Sequence, residues 1–194
     1  MNLTDFYEAK KATPSSSNEH MDTLRKYAVR CEHVTEFGVS QGYSTVAFLT
    51  ACPAELHSYD ITRQPEIDGI EAWANQTCKT KFVFHQQSSL EADFESTDLL
   101  LVDSLHTYDQ VRQELALHGH KVRKYLIFHD TIFWAYKNEI DSGGEADHAF
   151  YSRRHKQGIG PAIEEYMTAH PEWQIIEHHY HQSGLTVYAR LEAL

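Results

Sequence analysis

The sequence predicts an α/β domain: a mostly parallel sheet with helices on both faces and an antiparallel hairpin at its C-terminal end. Three observations carry this. Five short apolar segments alternate with helix-like segments, which is the signature of a parallel sheet with crossover helices. The first apolar segment runs into a turn holding Gly38 and Gly42, where a strand hands over to a helix. The last two segments, Trp173–His178 and Leu185–Arg190, are joined by the short turn Gln182-Ser183-Gly184, which reads as a hairpin.

The elements follow in order. Residues 1–32 form an N-terminal helical segment: a helix-like run at Asp5–Glu8, a polar loop at Thr13–Asn18, and Met21, Leu24, Tyr27, Ala28 and Cys31 at helical spacing. The first strand, around 33–37, ends in Glu36, and a helix follows over 43–51. Glu55–Asp60 reads as a second strand, residues 66–78 as a helix, and Lys81–His85 as a third strand. Thr97–Asp103 is nearly all apolar, as expected of a strand covered on both faces. A helix over 108–120 leads to a fifth strand at Tyr125–Asp130. Residues 131–157 are long and mixed, with Phe133, Trp134 and Tyr136, the pair Gly143-Gly144, and Arg153 and Arg154. That stretch is expected to be a functional loop or lid-like insertion. Pro161 opens the last helix. The 194 residues suit a single domain.

Composition narrows the function. A formal charge of −11 argues against nucleic acid and against an anionic membrane surface. No apolar run is long enough to span a bilayer, and the polar N-terminus lacks a signal-peptide layout. Cys31, Cys52 and Cys78 are odd in number and form no C-x-x-C, so reduced thiols and a cytoplasmic location are expected. Fourteen histidines are many for this length; only those beside other motifs are candidates.

The chemistry concentrates at predicted strand ends. Glycines at 38 and 42 let a turn approach a ligand, and the helix after them offers free N–H groups. Ser40 stands where a G-x-G-x-x-G dinucleotide fingerprint has its second glycine. Asp60, 24 residues after Glu36, stands where a carboxylate can accept from two ribose hydroxyls. A strand-end Asp capping its own turn is the plain alternative. Asp103 and Asp130 end neighbouring strands and should lie roughly 5 Å apart; such a pair needs a cation or a proton between its members. An all-oxygen set suits Mg²⁺. The alternative is that Asp103 orients the donor and Asp130 caps the next segment. His106, three residues past Asp103, is the preferred base, or else the cap of the helix at 108. His129 and His20 rank below it, because histidines at strand ends and helix starts are often structural.

Five sequence words resemble one family in the right order: Asn18-Glu19-His20 with Leu24; Glu36-Phe37-Gly38-Val39 through Ser44-Thr45; Val102-Asp103-Ser104-Leu105-His106-Thr107-Tyr108; Phe128-His129-Asp130-Thr131; and the end, with Pro171-Glu172-Trp173 and Gly184-Leu185-Thr186-Val187. From about Thr13 onward the chain resembles the class I S-adenosylmethionine (SAM)-dependent methyltransferases of the methyltransferase 24 family, near O-methyltransferases and cephalosporin-hydroxylase-like proteins. The resemblance implies a Rossmann-like seven-stranded sheet and SAM as cofactor. It places Glu36, Gly38, Ser40, Gly42 and Ser44 at the methionine end, Asp60 at the ribose, Ser88 and Ser89 at the adenine, and Asp103 near the donor. It implies O-methylation of a small hydroxylated acceptor such as a sugar or secondary metabolite. Asp103 and Asp130 would hold Mg²⁺ and His106 would take the proton, and a homodimer is left open. Two departures stand out: Ser88 replaces an acid often present at the adenine amino group, and Thr131 replaces an Asn found in metal-dependent catechol-type relatives. The competing readings are a non-catalytic ligand-binding protein on the same scaffold and an NAD-dependent or nucleotide-sugar oxidoreductase.

Overall fold

The structure is a computed structural model and describes residues 2–139 and 157–193. After a first helix, α1 (Leu3–Lys11), and a 3-10 turn (Asn18–His20), the chain alternates α2 (Met21–Ala28), β1 (His33–Phe37), α3 (Tyr43–Ala51), β2 (Glu55–Asp60), α4 (Pro65–Thr77) and β3 (Lys81–Gln86). It continues through β4 (Thr97–Val102), α5 (Tyr108–His118) and β5 (Val122–His129), and closes with α6 (Ile159–Ala169), β6 (Trp173–His179) and β7 (Leu185–Arg190). The seven strands are ordered β3-β2-β1-β4-β5-β7-β6. All neighbours from β3 to β5 pair parallel; β7 pairs antiparallel with both β5 and β6. The predicted sheet and terminal hairpin are present. Residues 140–156, the centre of the expected lid with Gly143, Gly144, Arg153 and Arg154, lie outside the described residues; residues 131–139 form turns against the strand ends.

The central strands explain their own sequence. Side chains alternate across a strand, and β4 splits accordingly: Leu99 and Leu101 join the core under α1–α4, while Leu100 and Val102 join the core under α5 and α6. All six β4 residues are buried, which is why the strand reads as one apolar run. Helix α3 is buried on every side from Tyr43 to Leu49, since it lies between the sheet and the N-terminal helices and needs no polar face. β3 and β6 are the edge strands, and a register shift between Ile175 and Glu177 interrupts the pairing of β6.

The strand order reverses between β1 and β4, which opens a crevice at their C-terminal ends. The crevice floor depends on Gly38. Its φ is +82°, and a Cβ there would sit 1.8 Å from the Asp103 carbonyl oxygen. The glycine is therefore demanded by the end of β4, not by ligand space above it. Gly42, at φ +77°, starts α3 and faces the flexible Ile70 side chain instead. Gly38→Ala should thus cost about 2–4 kcal/mol, a drop of about 5–15 °C in melting temperature, and more than Gly42→Ala, whose neighbour can move. Equal melting of wild type and Gly38→Ala in a calorimetric scan would contradict this packing.

Candidate active site

Two adjoining cavities occupy the crevice. The first, about 400 Å³, is lined by Gly38, Tyr59, Asp60, Ile61, Gln87, Ser88, Ser89, Leu105 and Gln110. The second, about 350 Å³, is lined by Ser15–Ser17, Gln41, Tyr43, Ser44, His106, His129 and Asp130. Val39, Ser40, Asp103, Ser104 and Glu139 line both. Of the predicted site residues, the structure brings Gly38, Ser40, Ser44, Asp60, Ser88, Ser89, Asp103, His106 and Asp130 to these walls. It does not bring Glu36 or Gly42 there.

Glu36 is fully buried beneath the turn. Its Oε1 accepts from Thr45 Oγ at 2.6 Å and from Ser58 Oγ at 2.5 Å, joining β1 to α3 and β2. Its side chain points into the packed layer and reaches neither cavity, so the carboxylate supports the turn from beneath. Burial pushes its carboxyl up to about 7 against the pull of those hydroxyl donors. Asp60 plays a part that sequence spacing did not reveal. Its Oδ2 accepts from the Val39 and Ser40 amides at 2.9 and 3.0 Å, and Oδ1 from the Thr62 amide at 2.8 Å. This carboxylate shapes the glycine turn from β2, and an ionised carboxylate still has lone pairs for hydroxyl donors.

Ser88 caps the short turn after β3 by accepting from the Leu90 amide. Ser89 is buried and donates to Glu114, which also accepts from Ser104 Oγ at 2.5 Å and Gln110 Nε2 at 2.9 Å. Burial pushes the Glu114 carboxyl up, while these three donors hold it back. Glu114 and Gln110 escaped sequence reasoning because both sit in an ordinary amphipathic helix. Only the packing of α5 against the turn after β3 makes them the support of this wall.

At the other end stands a cluster of charges. The register pairs Val102 with Phe128, so the residue beside Asp103 is His129, and Asp130 follows in a left-handed conformation at φ +58°. His129 Nδ1 lies 3.1 Å from Asp103 and 3.4 Å from Asp130, and its Nε2 lies 3.2 Å from the Ser16 carbonyl. His106 Nε2 lies 3.3 Å from Asp103 and 3.1 Å from Asp130, with Nδ1 2.8 Å from Glu139. Every nitrogen of both rings faces an oxygen able to accept from it. Burial pulls each imidazole down, but Asp103 and Asp130 outweigh it and push His106 up to about 9 and His129 to about 10. Asp103, whose own burial opposes ionisation, is held well below the usual carboxylate range by His129 and His106.

Two corrections follow. Two imidazole rings, which the sequence did not place there, stand against the two acids. His129, ranked low from sequence, is as central as His106, and Glu139 was missed because its stretch shows no periodic pattern. The donors still fit a divalent ion: Asp103, His129 and Asp130 each offer one ligand atom, all within 4.8 Å of one another. The Ser16 carbonyl would orient the His129 ring from behind, as outer partners of metal-bound histidines do. Two carboxylates and one imidazole suit Mn²⁺, Fe²⁺ or Zn²⁺ better than the all-oxygen Mg²⁺ set expected from sequence.

The buried Glu36 carboxyl makes a testable signature. Its folded pKa exceeds its unfolded value, so its stability contribution is complete below about pH 4.5 and is lost as pH rises through about 7. Glu36→Gln removes the titration. The stability of wild type relative to Glu36→Gln should therefore fall by about 3 kcal/mol between pH 4 and 8, read from denaturant unfolding at each pH. A constant difference would mean that burial leaves the Glu36 pKa where it lies in the unfolded chain.

A methyltransferase-domain family model matches residues 35–131, half of the 194-residue chain, and spans β1 to the residue after Asp130. No curated protein sequence matches the chain. Solved structures share the fold. An O-methyltransferase from Bacillus cereus in complex with S-adenosylhomocysteine (SAH) has a TM-score of 0.59 at 12% identity, covering 97% of this chain and 88% of its own. A 1,6-didemethyltoxoflavin N1-methyltransferase from Burkholderia thailandensis, bound to its substrate and SAH, has a TM-score of 0.57 at 16% identity, with 97% and 86% covered. The O-methyltransferase TomG of Streptomyces achromogenes, in complex with SAM, reaches 0.62 at 12% identity, with 92% and 81% covered. With the glycine turn, the strand-end acids and the reversed strand order all inside the matched segment, the chain belongs to the methyltransferase 24 family.

Proposed function

We propose that this protein transfers a methyl group from SAM to a hydroxyl oxygen of a small acceptor. The observation that carries this reading is the pair of adjoining cavities sharing Asp103 at the reversal of strand order. The first cavity suits the adenosine half. Ile61 and Leu105, apolar yet 73% and 44% exposed at its wall, offer faces for the base, with Gln87, Ser88 and Ser89 at its edge. Asp60 would accept from the ribose hydroxyls while still holding the turn. Asp103 and the start of α3, near Ser40 and Ser44, would receive the ammonium and carboxylate of the methionine end. The methyl group then faces the second cavity, where the acceptor lies.

The step is one in-line displacement. The acceptor oxygen forms a bond to the methyl carbon, the sulfonium S–C bond breaks with its electrons returning to sulfur, and the acceptor proton leaves to a base. Holding the two reactants in line can supply roughly 7–11 kcal/mol. His106 is the residue assigned as base, because it reaches into the second cavity and is held by Glu139 behind it. A divalent ion on Asp103, His129 and Asp130 would supply polarisation of the acceptor oxygen.

Titration calorimetry with SAM tests the first half. Asp60→Ala should weaken binding by about 1–3 kcal/mol, and Asp130→Asn should leave it near wild type; an Asp60→Ala variant with wild-type affinity would contradict the ribose assignment.

A pH–rate profile tests the second half on a methylated acceptor, with and without chelator. His106 must be neutral to accept a proton. Its imidazole is pushed up to about 9, so metal-free activity should climb with pH toward that value. His106→Gln should remove the limb and at least about 10²-fold of the rate. An unchanged profile in that variant would take the role of base away from His106.

A further inference from the structure

Beside His129, but outside both cavities, three more histidines converge. His20 ends the 3-10 turn before α2, His179 ends β6, and His181 lies in the turn to β7. Each offers one nitrogen, and the three lie within 4.8 Å of one another. His20 is completely buried, and its Nδ1 is buried with no hydrogen-bond partner among the described residues. Its Nε2 lies 3.2 Å from the Gln182 carbonyl. A carbonyl can only accept, so Nε2 carries the proton and Nδ1 holds a bare lone pair. His179 Nε2 lies 2.9 Å from a Glu177 carboxylate oxygen, and His181 Nε2 lies 3.7 Å from Glu19. His20 and His179 thus each have hydrogen-bonding oxygens at Nε2, with Thr23 Oγ1 also 3.2 Å from that atom of His179, the arrangement that orients a metal-bound imidazole.

We propose that His20, His179 and His181 form a second metal site, for a borderline divalent ion with Zn²⁺ first, that clamps the N-terminal segment to the terminal hairpin. Three neutral imidazoles with a fourth position left to water are an established Zn²⁺ set, with Zn–N bonds of about 2.0–2.1 Å. Nitrogens in that geometry stand about 3.3 Å apart, so a small inward rotation of the rings completes it. His181 is exposed and gives the ion a route in. The clamp joins parts far apart in sequence that already touch: the Glu19 amide donates to Gln182 Oε1, and Gln182 Nε2 donates to Asn18 Oδ1. The turn they grip holds Gln182 and Ser183 at positive φ, +43° and +65°, a conformation that non-glycine residues adopt only under constraint. Ser15–Ser17, immediately before the clamp, wall the second cavity. A bound ion would therefore fix one side of the acceptor space without touching the acid cluster. The proposal stands independently of the methyl-transfer reading.

The test uses untagged full-length protein, Zn²⁺ titration against a chromophoric chelator, metal counting after gel filtration, and visible spectra with Co²⁺. Wild type should retain a Zn²⁺ equivalent that Asp130→Asn also retains and that His181→Ala and His179→Ala lose, with affinity falling about 100-fold or more. Co²⁺ should show the intense visible bands of a tetrahedral site in wild type and not in His181→Ala. Melting in chelator checks that His181→Ala, altered at an exposed position, still folds. Equal zinc content in wild type and both histidine variants would overturn the proposal. So would the loss of all zinc with Asp130→Asn, or a wild type that takes up none at micromolar Zn²⁺.

Discussion

Everything at this site hangs on how closely the end of β1 approaches the end of β4. The Asp103 amide donates to the Phe37 carbonyl at 2.8 Å, and the Gly38 amide donates to the Tyr59 carbonyl at 2.9 Å. Gly38 lacks the one atom that would push the two strands apart. With that contact made, the next helices leave toward opposite faces of the sheet, and the gap between them becomes the crevice. Asp60 and Glu36 then stabilise the same turn from different sides. Asp60 holds the turn's amides from the solvent side, and Glu36 ties down its helix from within.

The second organising feature is charge compensation. Asp103, Asp130 and Glu139 meet His106 and His129 in a space closed on one side by Ser15–Ser17. Isolated, these carboxylates would repel one another and resist burial. Interleaved with two imidazoles, each acid finds a donor and each ring finds acceptors on both nitrogens. The same groups can exchange protons with an acceptor, or release them to solvent when a divalent ion takes their lone pairs.

The N-terminal segment is part of the site, not a preface to it. Ser16 meets His129, Lys10 donates to the Gln41 carbonyl, and Tyr7 is buried against the first core. The terminal hairpin closes the circle through Gln182, which bonds to Asn18 and Glu19. Together these segments wall a cavity that the central sheet only floors.

What the sequence determined by itself is the sheet and its order of elements. Period-two and all-apolar strands, a glycine turn and a short Gly-containing hairpin turn are local signals, and they were legible to within a few residues. That Asp60, Asp103 and His106 lie at the crevice was legible too, because strand ends in such a fold meet at one edge. Tertiary structure decided the rest. Whether Glu36 faced ligand or core depended on what α3 packed against it. Whether Asp103 met Asp130 or His129 depended on a one-residue register between β4 and β5, which no local pattern encodes. Glu114, Glu139 and the trio His20, His179 and His181 are brought together only by contacts between distant segments. A single sequence carries no periodic mark for such contacts, because side chains converge through the packing of whole elements and not through their spacing along the chain.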